Sequence, residues 1–360
     1  MATVYIISDF GKVVKKGDVL QVKRNDDILK TIFPFRTEQL VIIGKVEITS
    51  AAIRFLMHHR IETVFLGRNG RFNGRIDFQT GKNVFLRRRQ YELLGDNLFR
   101  LRFARAVINA KVRNQLSFVQ RIARRNYSNA NVNQVVSSLK SALRKIELCD
   151  NFDSLRGYEG NSARHYFSVF KQALLPEWAT FNGRSMHPPL DNVNAVLSLL
   201  YTMILFRVDA AVQAKGMDAY AGFYHSLDYG KKSLVFDLME EYRTPIADTL
   251  TVALFNLGVL KPDDFRVEEF AANDDEFPLE HGDLSQEEIA SIPEKKVGVL
   301  LTPEGLKKVI TQFEKKLEDG IFHVPLMKNL TYRQLIDEQA DLFKRVVIGQ
   351  EDGYKPLQIK

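Results

Sequence analysis

The chain has one cysteine, Cys149, in 360 residues. No internal disulfide can form, so the fold must stand on its core, and this usage fits a reducing cytoplasm. Cys149 itself reads as a small buried hydrophobe, not a nucleophile. Also missing is any run of about 18 apolar residues, the length needed to span a bilayer. The most apolar stretch, Ala195 to Leu205, is interrupted by Ser198, Tyr201 and Thr202, so no membrane association is expected. The opening Met1-Ala-Thr-Val-Tyr-Ile-Ile-Ser-Asp has neither the basic start nor the small-residue cleavage site of a secretory signal. No CxxC or HExxH pair occurs, which excludes the closed cysteine and histidine sets of structural zinc sites.

What the chain does have is apolar content and basic charge. At 45% hydrophobic residues, a chain of this length buries roughly three quarters of its unfolded surface and is expected to form two domains. The net charge of +7 permits an anionic partner without requiring one. Its distribution says more. From Arg87 to Arg125 there are eleven cations, among them Arg100, Arg102, Arg105, Arg121, Arg124 and Arg125, against the two acids Glu92 and Asp96. Such a cluster repels itself unless something anionic lies nearby, which points to a nucleic-acid backbone. Asp263 to Glu294 is the reverse, an acidic stretch expected to be a solvated loop with little structure.

The first eighty residues read as β. Val4–Ser8, Lys12–Val14, Val19–Lys23, Ile28–Phe33 and Leu40–Ile43 are short, β-branched and separated by turn residues. Thr49–His58 reads as a helix, Ile61–Leu66 as a strand, and Arg68-Asn-Gly-Arg71 as a hairpin turn before Phe72–Ile76. From about Asp96 the apolar spacing becomes three and four, through Leu101, Val107, Ala110, Leu116 and Val119. The expected fold is α+β: a small β-rich N-terminal domain, 1–90, ahead of a larger, mostly α-helical catalytic domain, 91–360. The β region has too few strands to close a barrel and so has an edge or face to cover.

The candidate chemistry lies in the second part. His225 stands on a Gly-punctuated loop ahead of an apolar segment carrying Asp237 and Glu240. Those acids are three apart and share one helix face. The loop Tyr229-Gly-Lys-Lys232 allows His225 to fold back towards them, and the set can hold one divalent metal. Glu241 lies on another face. Lys231 and Lys232 beside such a site suggest a phosphate-bearing substrate. Upstream, Glu159 sits between Gly157 and Gly160 at what reads as a helix start, where a carboxylate is favourable for electrostatic reasons alone. Arg184 precedes a proline-fixed turn in which Asp191 or Asn192 would cap the next helix.

Four blocks together resemble one family: Gly157-Tyr-Glu-Gly-Asn-Ser-Ala-Arg164; Arg184 with Pro188-Pro-Leu-Asp-Asn-Val-Asn194; Gly222-Phe-Tyr-His225; and Ser233-Leu-Val-Phe-Asp-Leu-Met-Glu-Glu-Tyr-Arg243. Their order and spacing are similar to those of the CRISPR-associated endonuclease/integrase that inserts new spacers, the first CRISPR-associated protein. Tyr354-Lys-Pro-Leu357 resembles the family's C-terminal ending.

The resemblance implies metal ligands at Glu159, His225 and Glu240, with Asp237 as an accompanying catalytic acid, and Mg²⁺ or Mn²⁺ as the ion. Arg164, Arg184 and Arg243 stand in the matching blocks and are expected among the DNA-binding residues; Lys231 and Lys232 join them as phosphate contacts, solvated turn lysines being the equal alternative. Many members carry aspartate where this chain has Glu240, which would shift the metal by about a methylene. The implied partners are double-stranded DNA (protospacer and CRISPR repeat), a second copy forming a homodimer through the β domain, and the small second CRISPR-associated protein in a heterohexamer. The implied reaction is attack of a DNA 3′-hydroxyl on a repeat phosphodiester. Two other readings stay open: a different metal-dependent phosphodiesterase on a helical scaffold, and a non-catalytic DNA-binding scaffold in which the acids pair with arginines.

Overall fold

The computed structural model describes residues 2–8, 10–67, 72–76, 83–125, 129–185, 188–271 and 295–359. The chain divides into two compact units, one built on Met1–Gln79 and the other on Thr80–Glu268 with Val297–Lys360.

The first unit holds two open sheets. In one, β1 (Ala2–Ile7), β5 (Thr37–Ile43), β7 (Glu62–Leu66) and β8 (Phe72–Ile76) lie side by side in that order. The first three are parallel, with Ile6 opposite Ile42 and Ile42 opposite Phe65; β8 returns antiparallel. In the other the order is β4 (Asp27–Ile32), β3 (Val19–Arg24), β2 (Lys12–Lys16) and the two-residue β6 (Glu47–Ile48). Helix α1 (Ser50–His58) starts where expected, because the Thr49 hydroxyl accepts the Ala52 N–H at 3.2 Å. Ile6, Val13, Leu20, Leu40, Ile42, Phe55 and Leu56 form one core, each large side chain worth roughly 1.5–3 kcal/mol on burial. The strands match the expected ones apart from β6, which is too short to show a period. The expected turn at Arg68–Arg71 lies outside the described residues.

The second unit is mostly helical. Its helices are α2 (Val84–Leu94), α3 (Asn97–Arg125), α4 (Ala130–Leu148), α5 (Phe152–Phe170), α6 (Asn192–Ala214), α7 (Ser233–Tyr242) and α8 (Thr249–Asn256), followed by Pro303–Leu317 and Tyr332–Val347. A π-helical stretch, Arg243–Asp248, joins α7 to α8. Helix α3 packs on α4, α5 and α7, and α6 packs on α7 and Tyr332–Val347. Phe103, Phe223, Phe343 and Tyr354 form an aromatic centre with ring centroids 4.8–5.7 Å apart. Helix α2 belongs here too, since Gln90 donates to the Asp218 and Ala221 carbonyls at 2.8 and 3.0 Å.

Several expectations change. The acidic stretch is not a loop at its start: Phe265–Ala271 is a strand, β9, paired with β10 (Lys295–Leu301). The charges of Glu268 and Glu269 hid an extended segment whose ladder partner lies far away in the sequence; 272–294 lie outside the described residues. A second hairpin, β11 (Gly320–His323) with β12 (Lys328–Thr331), was also not expected. The apolar stretch near Ala195 is part of a 23-residue helix, α6, capped by Asp191. By length and composition α6 is apolar enough to cross a membrane, but 72% of its apolar window is buried inside the fold, so core packing accounts for its composition. Cys149 is buried, as expected of a small hydrophobe.

Candidate metal centre and nucleic-acid interface

Glu159 is not at a helix start. Helix α5 begins at Phe152 with Asn151 as its cap, whose side chain accepts the Ser154 N–H. Glu159 therefore sits two turns in, and its role must come from what it faces. It faces α3 and the loop before α7. Lys111 Nζ on α3 lies 2.5 Å from Glu159 Oε1 and 2.8 Å from Glu240 Oε2. The Tyr224 hydroxyl donates to Glu159 Oε2.

The loop before α7 is pressed against that helix at Gly222, where a Cβ would stand 2.4 Å from the Ser233 carbonyl carbon. Only glycine fits, and the close approach swings residues 223–225 onto Asp237. The Asp237 carboxylate is fully buried and accepts the N–H groups of Phe223 (2.6 Å), Tyr224 (3.1 Å) and His225 (2.9 Å). It also binds His225 Nδ1 at 2.7 Å. That hydrogen bond fixes the ring and leaves Nε2 facing Glu240, 4.0 Å from Oε1. Both Asp237 oxygens are thus engaged by residues 223–225. The expected loop-back of His225 and the shared face of Asp237 and Glu240 are both present.

Glu159, His225 and Glu240 line one cleft of about 550 Å³, together with Lys111, Arg156, Tyr224, Ser226, Lys231 and Arg243. Among the described residues no three His, Cys, Asp or Glu side chains converge as a closed metal site; Lys111 stands between the two glutamates. The donor set still fits a hard divalent ion. Glu240 Oε2 is buried, with Lys111 Nζ 2.8 Å from it. Two carboxylates, an imidazole nitrogen held by a carboxylate behind it, and space for phosphate oxygens suit Mg²⁺ or Mn²⁺.

The electrostatics agree. Burial favours a neutral Glu240, but Arg243 (Nε to Oε1, 3.1 Å), Lys111 and His225 overcome it and hold its pKa below the usual value. Burial likewise works against charge on His225 and Lys111. For His225, Asp237 leads the carboxylates that reverse this and raise its pKa; for Lys111, Glu159 and Glu240 do so. Burial and then Glu159 raise the Tyr224 phenol.

The expected DNA-binding residues divide. Arg164, Arg102, Arg121 and Arg124 are exposed, and the Arg125 side chain lies outside the described ones. Lys231 and Arg243 line the cleft. Lys232 is bound to Asp209 at 2.5 Å. Arg184 donates to Ser185, Asn194 and Ser198 and lies over the Tyr201 ring, as does Arg243. Arg100 reaches the Phe223 carbonyl and the Phe152 ring, and Arg105 the carbonyls of Glu147 and Cys149.

Sequence reading missed Lys111 as a member of the site. The signal was there: Lys111 follows Val107 by four, a charge on the buried stripe of a helix. Glu241, expected on another face of α7 from its neighbour, is accounted for. Its carboxylate accepts Gln339 Nε2 at 2.8 Å, the Tyr354 hydroxyl and the Leu357 N–H, so it clasps the C-terminal segment on the far side of α7.

A profile of the family described as CRISPR associated protein Cas1 matches residues 4–273. The chain is 28% identical over 363 residues to CRISPR-associated endonuclease Cas1 3 of Thermus thermophilus, covering 100% of this chain and 98% of that one. In fold it is similar to a chain of a Cas6-RT-Cas1–Cas2 complex, with a TM-score of 0.80 at 24% identity; the match takes in 100% of this chain but spans 36% of that longer one. It is also similar to a casposase bound to integration product, with a TM-score of 0.78, 20% identity and coverage of 100% and 95%.

Proposed function

From the premise that this chain belongs to the Cas1 family of CRISPR-associated endonucleases, we propose that it is a metal-dependent DNA endonuclease/integrase of CRISPR adaptation, acting in the cytoplasm. The observation that carries the reading is that Glu159, His225 and Glu240 line one cleft together with Lys111, Arg156, Lys231 and Arg243. Those three side chains would hold Mg²⁺ or Mn²⁺. When bound, the ion supplies Lewis acidity to the phosphodiester and lowers the pKa of the attacking hydroxyl.

The chain's own groups do the rest. Asp237 keeps the imidazole turned so that Nε2 faces the cleft. Lys231, Arg156 and Arg243 line the same wall as cations for phosphate oxygens. Arg164 on α5 and Arg102, Arg121 and Arg124 on α3 are exposed cations that would meet DNA phosphates outside the cleft. Arg184, Arg100 and Arg105 act by shaping the scaffold, being engaged by internal acceptors. A DNA 3′-hydroxyl attacks a repeat phosphodiester; one P–O bond forms as another breaks, so no protein nucleophile is required.

The assembly belongs to the same proposal. The outer strand β4 leaves Ile28 and Leu29 about half exposed, with Phe33 and Phe35 beyond it, an apolar edge that a second copy would cover. Two such dimers joined by the small Cas2 protein would set active sites at both ends of one DNA segment. The solved Cas6-RT-Cas1–Cas2 complex, one chain of which shares this fold, supports the pairing with Cas2.

The test is strand transfer on a branched duplex with Mn²⁺. Wild type is expected to join the strands, and Glu159→Ala and His225→Ala to fail while melting within a few degrees of wild type. Activity retained in either variant would remove that residue from the centre. Sedimentation with and without the small partner tests the assembly; a strict monomer at micromolar concentration would overturn it.

A further inference from the structure

Tyr229 is the most exposed large apolar side chain among the described residues, its ring fully open to water. It does not hang from a slack loop. The Asp228 carbonyl accepts the Lys231 N–H at 3.1 Å, and Gly230 has φ +78°. Tyr229 and Gly230 therefore take the two central positions of a turn that needs positive φ at its third residue. The base of the turn is closed as well: Ser233 Oγ donates to the Ser226 carbonyl and Ser226 Oγ to Asp228, both at 2.5 Å. Lys231 is buried, with its ammonium 5.8 Å from the Phe236 ring centroid. A pinned turn thus holds an aromatic ring outward, with Leu227, also exposed, two residues before it.

The position matters. Ser226 and Lys231, on either side of the ring, both line the cleft that holds Glu159, His225 and Glu240. The cleft wall supplies cations through Arg156, Lys231 and Arg243 but little apolar surface. A polyanion bound there would bring its bases to the turn, and every base has a face that an aromatic ring can cover regardless of sequence.

We propose that Tyr229, with Leu227 two residues before it, is a stacking platform for a nucleobase next to the phosphate that reacts in the cleft. It sets the approach of the strand without reading its sequence. The proposal rests on the DNA-processing function proposed for the cleft.

The experiment uses the full chain and a branched duplex carrying 2-aminopurine at each of the nucleotides flanking the reacting phosphate in turn. Wild type and Tyr229→Phe are expected to quench the fluorescence at one position on binding. Tyr229→Ala is expected to lose that quench and to bind about tenfold more weakly, a typical loss for one stacked base, with Mn²⁺ binding by calorimetry unchanged. Quenching and affinity in Tyr229→Ala equal to wild type would overturn the platform, as would loss of self-association with DNA binding intact. If wild type neither bound nor processed the branched duplex, the DNA-processing function itself would fall.

Discussion

Glu240 and Glu241 are neighbours on α7, both buried, and they live in opposite surroundings. Glu240 faces the cleft, where Arg243, Lys111 and His225 stand around it and keep it ionised. Glu241 faces the C-terminal segment, where its partners are neutral donors: the Leu357 N–H, Tyr354 and Gln339. Burial dominates there, and although those donors favour the charged form, its pKa is pushed up to about 7. A turn of about 100° around one helix separates the cleft-facing acid from the clasp. The same Asn114 amide that grips the Glu241 carbonyl also holds the Leu357 carbonyl, at 3.1 and 3.0 Å, so the clasp side fixes the backbone from which Glu240 projects.

The sharpest way to break this comparison is to neutralise each acid in turn. Glu240→Gln is expected to lower metal-dependent strand transfer by about a thousandfold or more, since it removes a ligand to the ion that activates the hydroxyl. Glu241→Gln is expected to stay within a few-fold of wild type, and its effect appears in stability. Because the folded pKa of Glu241 lies above its ordinary value of 4.5, the folded state binds the extra proton. Its contribution is fully present below about pH 4.5 and is lost as pH rises to about 7, a change of about 3 kcal/mol. Denaturant titrations across that range should show the fall in wild type and its absence in Glu241→Gln. An equal pH slope in both would assign the effect to other groups.

Next in size is Asp237→Asn. With the imidazole no longer held by a charged acceptor, metal affinity should fall about 10- to 100-fold, as when such supporting groups are removed elsewhere, with little change in DNA binding. Calorimetry with Mn²⁺ decides it; affinity unchanged from wild type would mean that the backbone alone aims His225. Lys111→Met probes the cleft side from the other direction. Without metal, Glu159 and Glu240 would lose the ammonium they share, so melting should fall, while Mn²⁺ affinity should rise about tenfold, or roughly 1.4 kcal/mol, because a competing cation is gone. Weaker metal binding would show that Lys111 holds the glutamates in place.

The smallest effect concerns the exposed arginines of α3. Neutralising Arg102, Arg121 and Arg124 should lower the slope of log affinity against log salt by about 0.9 for each phosphate that the chain no longer neutralises, with metal binding unchanged. An unaltered slope would return them to a solvated helix face.

Much of the fold was legible because its signals are local. The strands of the first unit alternate or run β-branched between turn residues, and α1 begins at a threonine that caps it. The loop carrying His225 announced itself through Gly222 and Gly230. Signals failed where the deciding partner is distant. Phe265–Ala271 looked like a loop because its acids are local and its ladder partner is not. One local signal was also misread: Glu159 looked like a helix-start acid because glycines flank it, although the cap that starts the helix lies eight residues earlier, at Asn151.

By itself, the sequence determined the succession of a β-rich region and a mostly helical one, the residue types of the site and the spacing that puts Asp237 and Glu240 on one face of α7. These follow from periodicity, capping and backbone freedom, which act over a few residues. Tertiary structure alone decided that Lys111 stands between Glu159 and Glu240, that Asp237 supports the imidazole while Glu240 faces the cleft, and that Glu241 holds Tyr354 and Leu357. Those interactions join side chains far apart in the chain, and a carboxylate's role depends on whether burial brings it cations or neutral donors, which no local pattern records.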